Sequence, residues 1–269
     1  MPYVGNDVVD LREPANAGKS RNSRFLKKIL TNAEIEFVQN AKDPDATLWS
    51  LWACKETAYK VIKKYCLDAA FLPRQWTVIF NPARLGIPRL QPGEECAVTR
   101  GRSRYPHASR DNSTCKLQFP LFLKLGSHYY REPPASAGGG STKFQPDFSD
   151  GEVMIPGKGI IYVRLFSNLH YVHCVGADCL AALDKLIWKV DVLPEEKDEK
   201  NINPSFFSRN CLGQNLAQYF SLNFHNIKIK RASENGELQP PRVYVSGRKT
   251  NIDISLSHDG RFVAYAYHL

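Results

Sequence analysis

The segment Val4-Gly5-Asn6-Asp7-Val8-Val9-Asp10, close to the start of the chain, places acidic residues inside a run of valines. Valine is β-branched and fits the half-buried surface of a sheet, so the run predicts a strand. Aspartate is depleted in strands, and a buried carboxylate is unfavourable unless another group pairs with its charge. Asp7 therefore lies either in a surface turn or beside a cation.

The composition predicts a globular protein with a substantial core. The chain has 269 residues, 43% of them hydrophobic, which is enough for one large domain or two small ones. The N-terminal sequence has no basic region followed by an apolar run, and no stretch approaches the roughly 18 apolar residues of a membrane span. The seven cysteines lack a repeated CxxC spacing, which favours reduced thiols. We therefore predict a cytoplasmic protein without a membrane partner.

The charge of the chain favours an acidic partner. The formal net charge is +9 and the pI is near 9.2, values typical of proteins that bind nucleic acid, a phosphorylated small molecule or an acidic protein. No RNA-binding aromatic signature or zinc-finger spacing accompanies the basic residues. A basic face that contacts only solvent explains the charge equally well, so charge alone does not identify the partner.

The segment ATLWSLWACKETAYKVIKKY, residues 46–65, predicts a helix that packs onto a sheet, because its apolar residues recur at helical spacing. Glu56 and Lys60, four residues apart, lie together beside the apolar stripe. Lys55 lies within the stripe, so its charge requires an anionic partner or a side chain that extends past its neighbours to solvent. Just upstream, Thr31 and Glu34 have the spacing of a capping box at the start of a short helix that reaches about Ala41.

The remaining pattern predicts an α+β protein with two loosely similar halves, residues 1–190 and 200–269. Residues 82–157 are rich in Pro, Gly, Ser and Arg and predict a long irregular insertion, and residues 192–204 predict a linker. The patterns predict helices at residues 179–190 and 206–222. Alternating or β-branched residues predict strands at 75–80, 159–166, 170–177, 226–232 and 240–247, and a final hairpin that turns at Asp259-Gly260.

Two carboxylates stand out as candidate metal ligands. Asp7 and Glu56 could together form the incomplete oxygen shell that Mg²⁺ adopts when substrate phosphates supply its other ligands. Taken singly, each has a simpler explanation: Asp7 as a turn or capping acid, and Glu56 as one partner of a helical ion pair with Lys60.

Three motifs in order support the metal hypothesis. Gly5-Asn6-Asp7 fits G-x-D, and the residues from Trp52 to Lys60 fit W/F-x-x-K-E-x-x-x-K. Near the end of the chain, PPRVYVSG and DISLSHDGRFVAYA resemble a proline-containing loop followed by an S-x-S-H strand. Together they resemble the 4'-phosphopantetheinyl transferase superfamily, in particular its holo-acyl-carrier-protein synthases, and imply the corresponding α+β fold. Residues 82–157 match none of these motifs.

The resemblance implies roles for individual residues. Asp7 and Glu56 would bind Mg²⁺, with Mn²⁺ as a substitute, and Glu56 would accept the proton of the attacking hydroxyl. Val9 stands where the larger members of the family have a third acid, so the site resembles that of the small synthases. The residues implied in coenzyme A binding are Lys55, Lys60, Pro241 and His258, with Lys60 also catalytic, and those implied in carrier binding are Arg12, Arg24 and Lys28.

The implied activity is transfer of the 4'-phosphopantetheine arm from coenzyme A to a serine of an acidic acyl or peptidyl carrier protein, releasing adenosine 3',5'-bisphosphate. Such carriers serve fatty acid or polyketide biosynthesis. Two alternatives remain open: a non-catalytic coenzyme A-binding protein of the same fold, and a nucleic-acid-binding module, which the motifs favour less. The pathway, the oligomeric state and the role of the insertion stay open as well.

Overall fold

The computed structural model describes residues 1–80, 147–194, 202–234 and 237–269. The helices are α1 (Ser23–Ile29), α2 (Asn32–Gln39), α3 (Pro44–Ile62), α4 (Leu180–Leu183) and α5 (Pro204–Tyr219). Short 3-10 turns lie at Lys19–Arg21, Pro73–Gln75 and Phe224–Asn226. None of the described helices combines the length and the apolar composition that spanning a bilayer requires.

Thirteen strands form four antiparallel sheets in the described part of the chain. The largest sheet has the order β1-β5-β4-β3-β2, and the others are β12-β13-β6, β11-β10-β7 and β8-β9. The strands are β1 (Val4–Asp10), β2 (Thr77–Phe80), β3 (Asp147–Ile155), β4 (Gly159–Ser167), β5 (Tyr171–Ala177), β6 (Ile187–Val192), β7 (Ile227–Lys230), β8 (Ser233–Glu234), β9 (Glu237–Leu238), β10 (Arg242–Val245), β11 (Arg248–Lys249), β12 (Asp253–Asp259) and β13 (Phe262–His268).

Strand β1 is covered on both of its faces, and its two faces have different partners. Side chains alternate along a strand, and here Val9 belongs to the core beneath α3. Val8 belongs to a second apolar cluster, where it packs with Phe262 of β13. The opening segment is therefore the strand that its valines predict, sandwiched between a helix and a second sheet.

Helix α3 lies close against β1 because two glycines face it. Gly5 and Gly176 are directly opposite each other in the β1–β5 pairing. A Cβ on Gly5 would lie 2.3 Å from the carbonyl oxygen of Thr57, and one on Gly176 would lie 2.8 Å from the Thr57 methyl carbon. Only glycine permits this approach, which brings the polar residues of α3 down to the level of β1.

The second layer of the protein is built around β12 and β13. Helix α5 packs on this sheet through Leu212 and Leu216, which share a core with Ile254, Tyr265 and Val243. The hairpin predicted at Asp259-Gly260 is confirmed, since β12 and β13 pair directly across it. The sheets and helices together make a mixed α+β protein, and the proposed relation between its two halves stays a prediction.

Two sequence predictions are wrong. The helix predicted at residues 179–190 covers only Leu180–Leu183. The segment Ile187–Val192 forms strand β6 instead, because it pairs with β13. Residues 147–155, assigned to the irregular insertion, form β3 in the large sheet between β2 and β4. The remainder of the predicted insertion to residue 146, and most of the predicted linker, lie outside the described residues.

Candidate functional site

The carboxylate of Asp7 faces α3 and meets Lys60. Gly5 and Asp7 are two residues apart in a strand, so both face the helix. Lys60 Nζ donates to Asp7 Oδ1 at 2.8 Å and to the carbonyl oxygen of Asn6 at 2.8 Å. The Lys60 side chain is 28% exposed and that of Asp7 13%, so the pair lies at an accessible edge. Burial raises the pKa of Asp7 despite the opposing charge of Lys60.

Glu56 lies one helical turn before Lys60 and near Asp7. Burial, reinforced by the negative charge of Asp7, raises the pKa of Glu56 to about 7. Among the described residues, none donates a hydrogen bond to the Glu56 carboxylate. The site therefore holds two neighbouring carboxylates and one lysine, with one carboxylate available to a proton or a cation.

The other side of the site is formed by the β1–β12 seam, where Val4–Asp10 runs along Asp253–Asp259. Alternate side chains of β12 accept hydrogen bonds from β1: three from backbone amides and one from the Asn6 side chain. The four acceptors and their donors are Asp253 Oδ2 with Val4 N at 2.6 Å, Ser255 Oγ with Asn6 N at 2.9 Å, Ser257 Oγ with Asn6 Nδ2 at 3.0 Å, and Asp259 Oδ2 with Asp10 N at 2.8 Å.

Both ends of the seam are fixed by ion pairs. At one end, Lys64 Nζ donates to Asp253 Oδ2 at 2.7 Å and to the carbonyl oxygens of Val4 and Ile254. At the other end, Arg261 donates to both carboxylate oxygens of Asp10, through Nε at 2.8 Å and Nη2 at 2.7 Å. The C-terminal hairpin is thus fastened to the first strand at two points that flank Asp7.

His258 lies on the exposed side of the seam, within electrostatic reach of the Asp7–Lys60 pair. Partial burial and the positive charge of Lys60 lower its pKa, and Arg209 of α5 contributes in the same direction. The structure therefore brings four predicted site residues into one region: Asp7, Glu56, Lys60 and His258.

The predicted contact of Lys55 with coenzyme A is contradicted by the structure. Its side chain is fully buried, and Nζ donates to Glu34 Oε2 at 2.6 Å, to the Pro73 carbonyl at 2.8 Å and to the Ile29 carbonyl at 3.1 Å. An ammonium has three N–H donors, and all three are used inside the protein. The anionic partner that its position on the apolar stripe required is Glu34.

The remaining predicted residues lie elsewhere. Pro241 is buried immediately before β10, which belongs to a different sheet from β1 and β12. Arg12 is exposed, and Arg24 and Lys28 are exposed four residues apart on α1, which places them on one helix face. Their roles in binding coenzyme A or a carrier stay predictions.

The acceptors of the seam are not among the predicted site residues. Asp253, Ser255, Ser257 and Asp259 alternate with apolar residues or histidine, and a period of two indicates one face of a strand. The period of two is visible in the sequence. The sequence does not show that this face of β12 contacts β1, because the two strands are 249 residues apart in the chain.

Comparison with known proteins bears on the same region. Residues 3–108 match the family model of the 4'-phosphopantetheinyl transferase superfamily. The resemblance is thereby confirmed for the part of the chain that contains the G-x-D and K-E motifs, and it does not extend to the S-x-S-H segment.

Two curated proteins match part of the chain. A segment of 62 residues is 36% identical to the holo-[acyl-carrier-protein] synthase of Leptospira biflexa serovar Patoc, strain Patoc 1 / Ames, and equally to that of strain Patoc 1 / ATCC 23582 / Paris. The segment is 23% of this chain and 49% of each synthase. The chain therefore spans about half the length of the curated relatives it matches. No solved structure matches the chain significantly.

The donor set suits a hard divalent cation. Asp7 and Glu56 both offer carboxylate oxygens, the ligands that Mg²⁺ and Mn²⁺ prefer. The mutual repulsion that raises the pKa of Glu56 would be relieved by a cation between them. Within the described ranges, no cluster of three or more His, Cys, Asp and Glu side chains could hold a metal. A metal bound here would take its remaining ligands from water or from a substrate.

Proposed function

We propose that the protein catalyses Mg²⁺-dependent transfer of the 4'-phosphopantetheine arm of coenzyme A to a serine hydroxyl of an acidic acyl or peptidyl carrier protein. The observation that carries the proposal is the placement of Asp7, Glu56 and Lys60 at the accessible edge of the β1–β12 seam, within the segment that matches the superfamily. The relatives named as holo-[acyl-carrier-protein] synthases support a carrier protein as the acceptor.

Asp7 and Glu56 would hold the metal ion, and pyrophosphate oxygens of coenzyme A would complete its shell. When bound, the ion supplies Lewis-acid stabilisation of the negative charge on the pyrophosphate. Lys60 uses two of its three N–H donors on Asp7 and Asn6, so the third is available to a phosphate oxygen.

Transfer breaks one phosphoanhydride bond and forms one phosphoester bond. The serine oxygen bonds to the phosphorus that carries the pantetheine arm, and the bridging oxygen leaves with its electron pair on adenosine 3',5'-bisphosphate. Glu56 accepts the serine proton. A general base must lie within hydrogen-bond reach of the proton that it takes, and Glu56 lies at the same edge as Asp7 and Lys60, where the phosphates would bind.

The test is intact mass spectrometry of an apo carrier protein after incubation with coenzyme A, Mg²⁺ and this protein. We expect the carrier to gain the mass of one phosphopantetheine, and to gain nothing when a chelator removes the metal. Mn²⁺ should restore the reaction. Turnover that persists in the chelator would contradict the metal assignment.

Binding measurements made beside this assay separate the alternatives. Coenzyme A binding without any gain in carrier mass would identify a non-catalytic member of the fold. Salt-sensitive binding to nucleic acid that is unchanged by Asp7→Ala and Glu56→Ala would instead favour the nucleic-acid-binding module.

A further inference from the structure

Asn6, the middle residue of the G-x-D motif, connects three elements of the site. It is fully buried. Its backbone N–H donates to Ser255 Oγ at 2.9 Å, its Nδ2 donates to Ser257 Oγ at 3.0 Å, and its carbonyl oxygen accepts from Lys60 Nζ at 2.8 Å. One residue of β1 thus contacts both serines of the S-x-S-H motif and the lysine of the K-E motif.

The Asn6 side chain is an unusual choice for its position. On the same face of β1, Val8 is apolar and packs in the cluster with Phe262. The amide of Asn6 is only partly satisfied, because its Oδ1 has no partner among the described residues, and its Nδ2 lies 3.5 Å from Nε2 of the buried His173. Partly satisfied buried amides are unfavourable, so stability alone does not explain an asparagine here.

The side-chain amide of Asn6 can fix the local position of β12 along β1. A hydrogen bond between two particular side chains requires one short distance and direction, so it is lost when one strand shifts along the other. Asn6 immediately precedes Asp7, and Ser257 immediately precedes His258. The ion pairs of Lys64 and Arg261 fix the two ends of the seam, and the bond between Asn6 and Ser257 fixes its middle, one residue from Asp7 and one from His258.

We propose that Asn6 is a positioning residue, which holds the middle of β12 against β1 through Ser257 and so keeps His258 at the edge of the Asp7–Lys60 pair. The catalytic consequence rests on the proposed function. The geometric consequence does not, and it can be measured in the protein without substrate.

The experiment compares Asn6→Val, which keeps a strand-forming side chain and removes the amide, with Ser257→Ala, which removes the acceptor. Ser50→Ala is the matched control, because Ser50 is a buried serine whose Oγ bonds to Ala46 within α3. The NMR titration of His258 is the first readout. The charged groups that act on His258 are Lys60 of α3, Arg209 of α5, Asp7 of β1 and the adjacent Asp259.

We expect Asn6→Val and Ser257→Ala each to move the His258 titration toward its ordinary range near pH 6.5, because the ring shifts away from Lys60 and becomes more hydrated. Ser50→Ala should leave it unchanged. If both seam variants fold and titrate like the wild type, the positioning role is wrong. Two variants on opposite sides of the bond keep the test decisive if one of them fails to fold.

The second readout is coenzyme A kinetics. A misplaced binding group weakens use of the cofactor by about 10-fold to 100-fold, and we expect this loss in KM rather than in kcat. Adding Asn6→Val to His258→Ala should raise KM no further, because Asn6 acts through His258; full additivity would overturn the proposal. An altered titration in a protein whose wild type shows no transfer would contradict the proposed function and leave the positioning role intact.

Discussion

Helix α3 carries two lysine–carboxylate pairs, five residues apart, that differ in almost every property. Lys55 pairs with Glu34 at 2.6 Å, and the two side chains are 0% and 5% exposed. Lys60 pairs with Asp7 at 2.8 Å, at 28% and 13% exposure. The inner pair is closed to ligands, whereas the outer pair lies beside Glu56 and opens to solvent.

The difference lies in how many hydrogen bonds the protein itself supplies. Glu34 accepts from Lys55 through Oε2, from the Val78 backbone at 3.0 Å and from the Thr31 backbone at 2.8 Å, the last as part of its capping box. This pair joins α2, α3 and β2 and has no donor to spare. Lys60 has one N–H that no described residue accepts, so this N–H can donate to a substrate group. The two pairs therefore differ in hydrogen-bond saturation and not in residue type.

The largest expected effect is on the outer pair. Glu56→Gln should reduce transfer by about 100-fold to 10,000-fold, the range for removal of a general base, and Asp7→Asn should do the same through the metal. Both variants should remain folded, since neither side chain fills the core. Intact mass spectrometry with circular dichroism checks both statements. A fully active, folded variant at either position would remove that residue from the site.

The inner pair should matter more for stability than the outer pair. Lys55→Ala leaves the Glu34 charge buried without its partner, which lowers the free energy of unfolding by about 3–5 kcal/mol. Lys60→Ala should lower it by less, because the outer pair is partly exposed to solvent. Urea titration measures both values. Replacing Lys55 and Glu34 together by Met and Gln should recover part of the loss, and equal losses for Lys55→Ala and Lys60→Ala would contradict the distinction.

The pH dependence of stability tests Glu56 without any substrate. Its folded pKa, about 7, lies above its unfolded value near 4.5. The resulting stabilisation is therefore fully present below pH 4.5 and is lost as the pH rises through 7. Glu56→Gln cannot ionise, so at pH 8 it should unfold at a free energy higher than wild type by on the order of 1–3 kcal/mol. The control is pH 4, where the two proteins should be nearly equal.

Lys60 should also set the pH profile of the reaction. Its positive charge lowers the pKa of Glu56, so Lys60→Met should shift the acidic limb of kcat/KM to higher pH. Lys55→Met, if folded, should leave the limb in place because Lys55 does not act on Glu56. Profiles that coincide for wild type and Lys60→Met would show that Glu56 is not the titrating group.

The smallest effect concerns the exposed cations of α1. If Arg24 and Lys28 attract an acidic carrier, the double reversal to Glu should slow association at low salt and leave coenzyme A binding unchanged. The gap should narrow as salt shortens the Debye length to about 8 Å near physiological ionic strength. Stopped-flow association measures this, and equal rates for mutant and wild type at low salt would leave α1 a solvated basic face.

Features with a local period were predictable from the sequence. Gly5 and Asp7 face the same way because a strand has a period of two, and Glu56 meets Lys60 because a helix brings residues four apart together. The capping box of Thr31 and Glu34 and the hairpin at Asp259-Gly260 follow from short-range turn and cap geometry. These features needed only the backbone geometry of a few adjacent residues.

What only the tertiary structure decided depends on residues that are distant in the chain. The motif predicted that Lys55 binds coenzyme A, but Lys55 pairs with Glu34, which is 21 residues away in the chain. The motif specifies no residue type at Asn6, and its backbone N–H donates to Ser255, which is 249 residues away in the chain. The segment Ile187–Val192 forms a strand because it pairs with β13. A side chain's partner, its access to solvent and the pairing of a marginal strand are set by packing, which the local sequence does not encode.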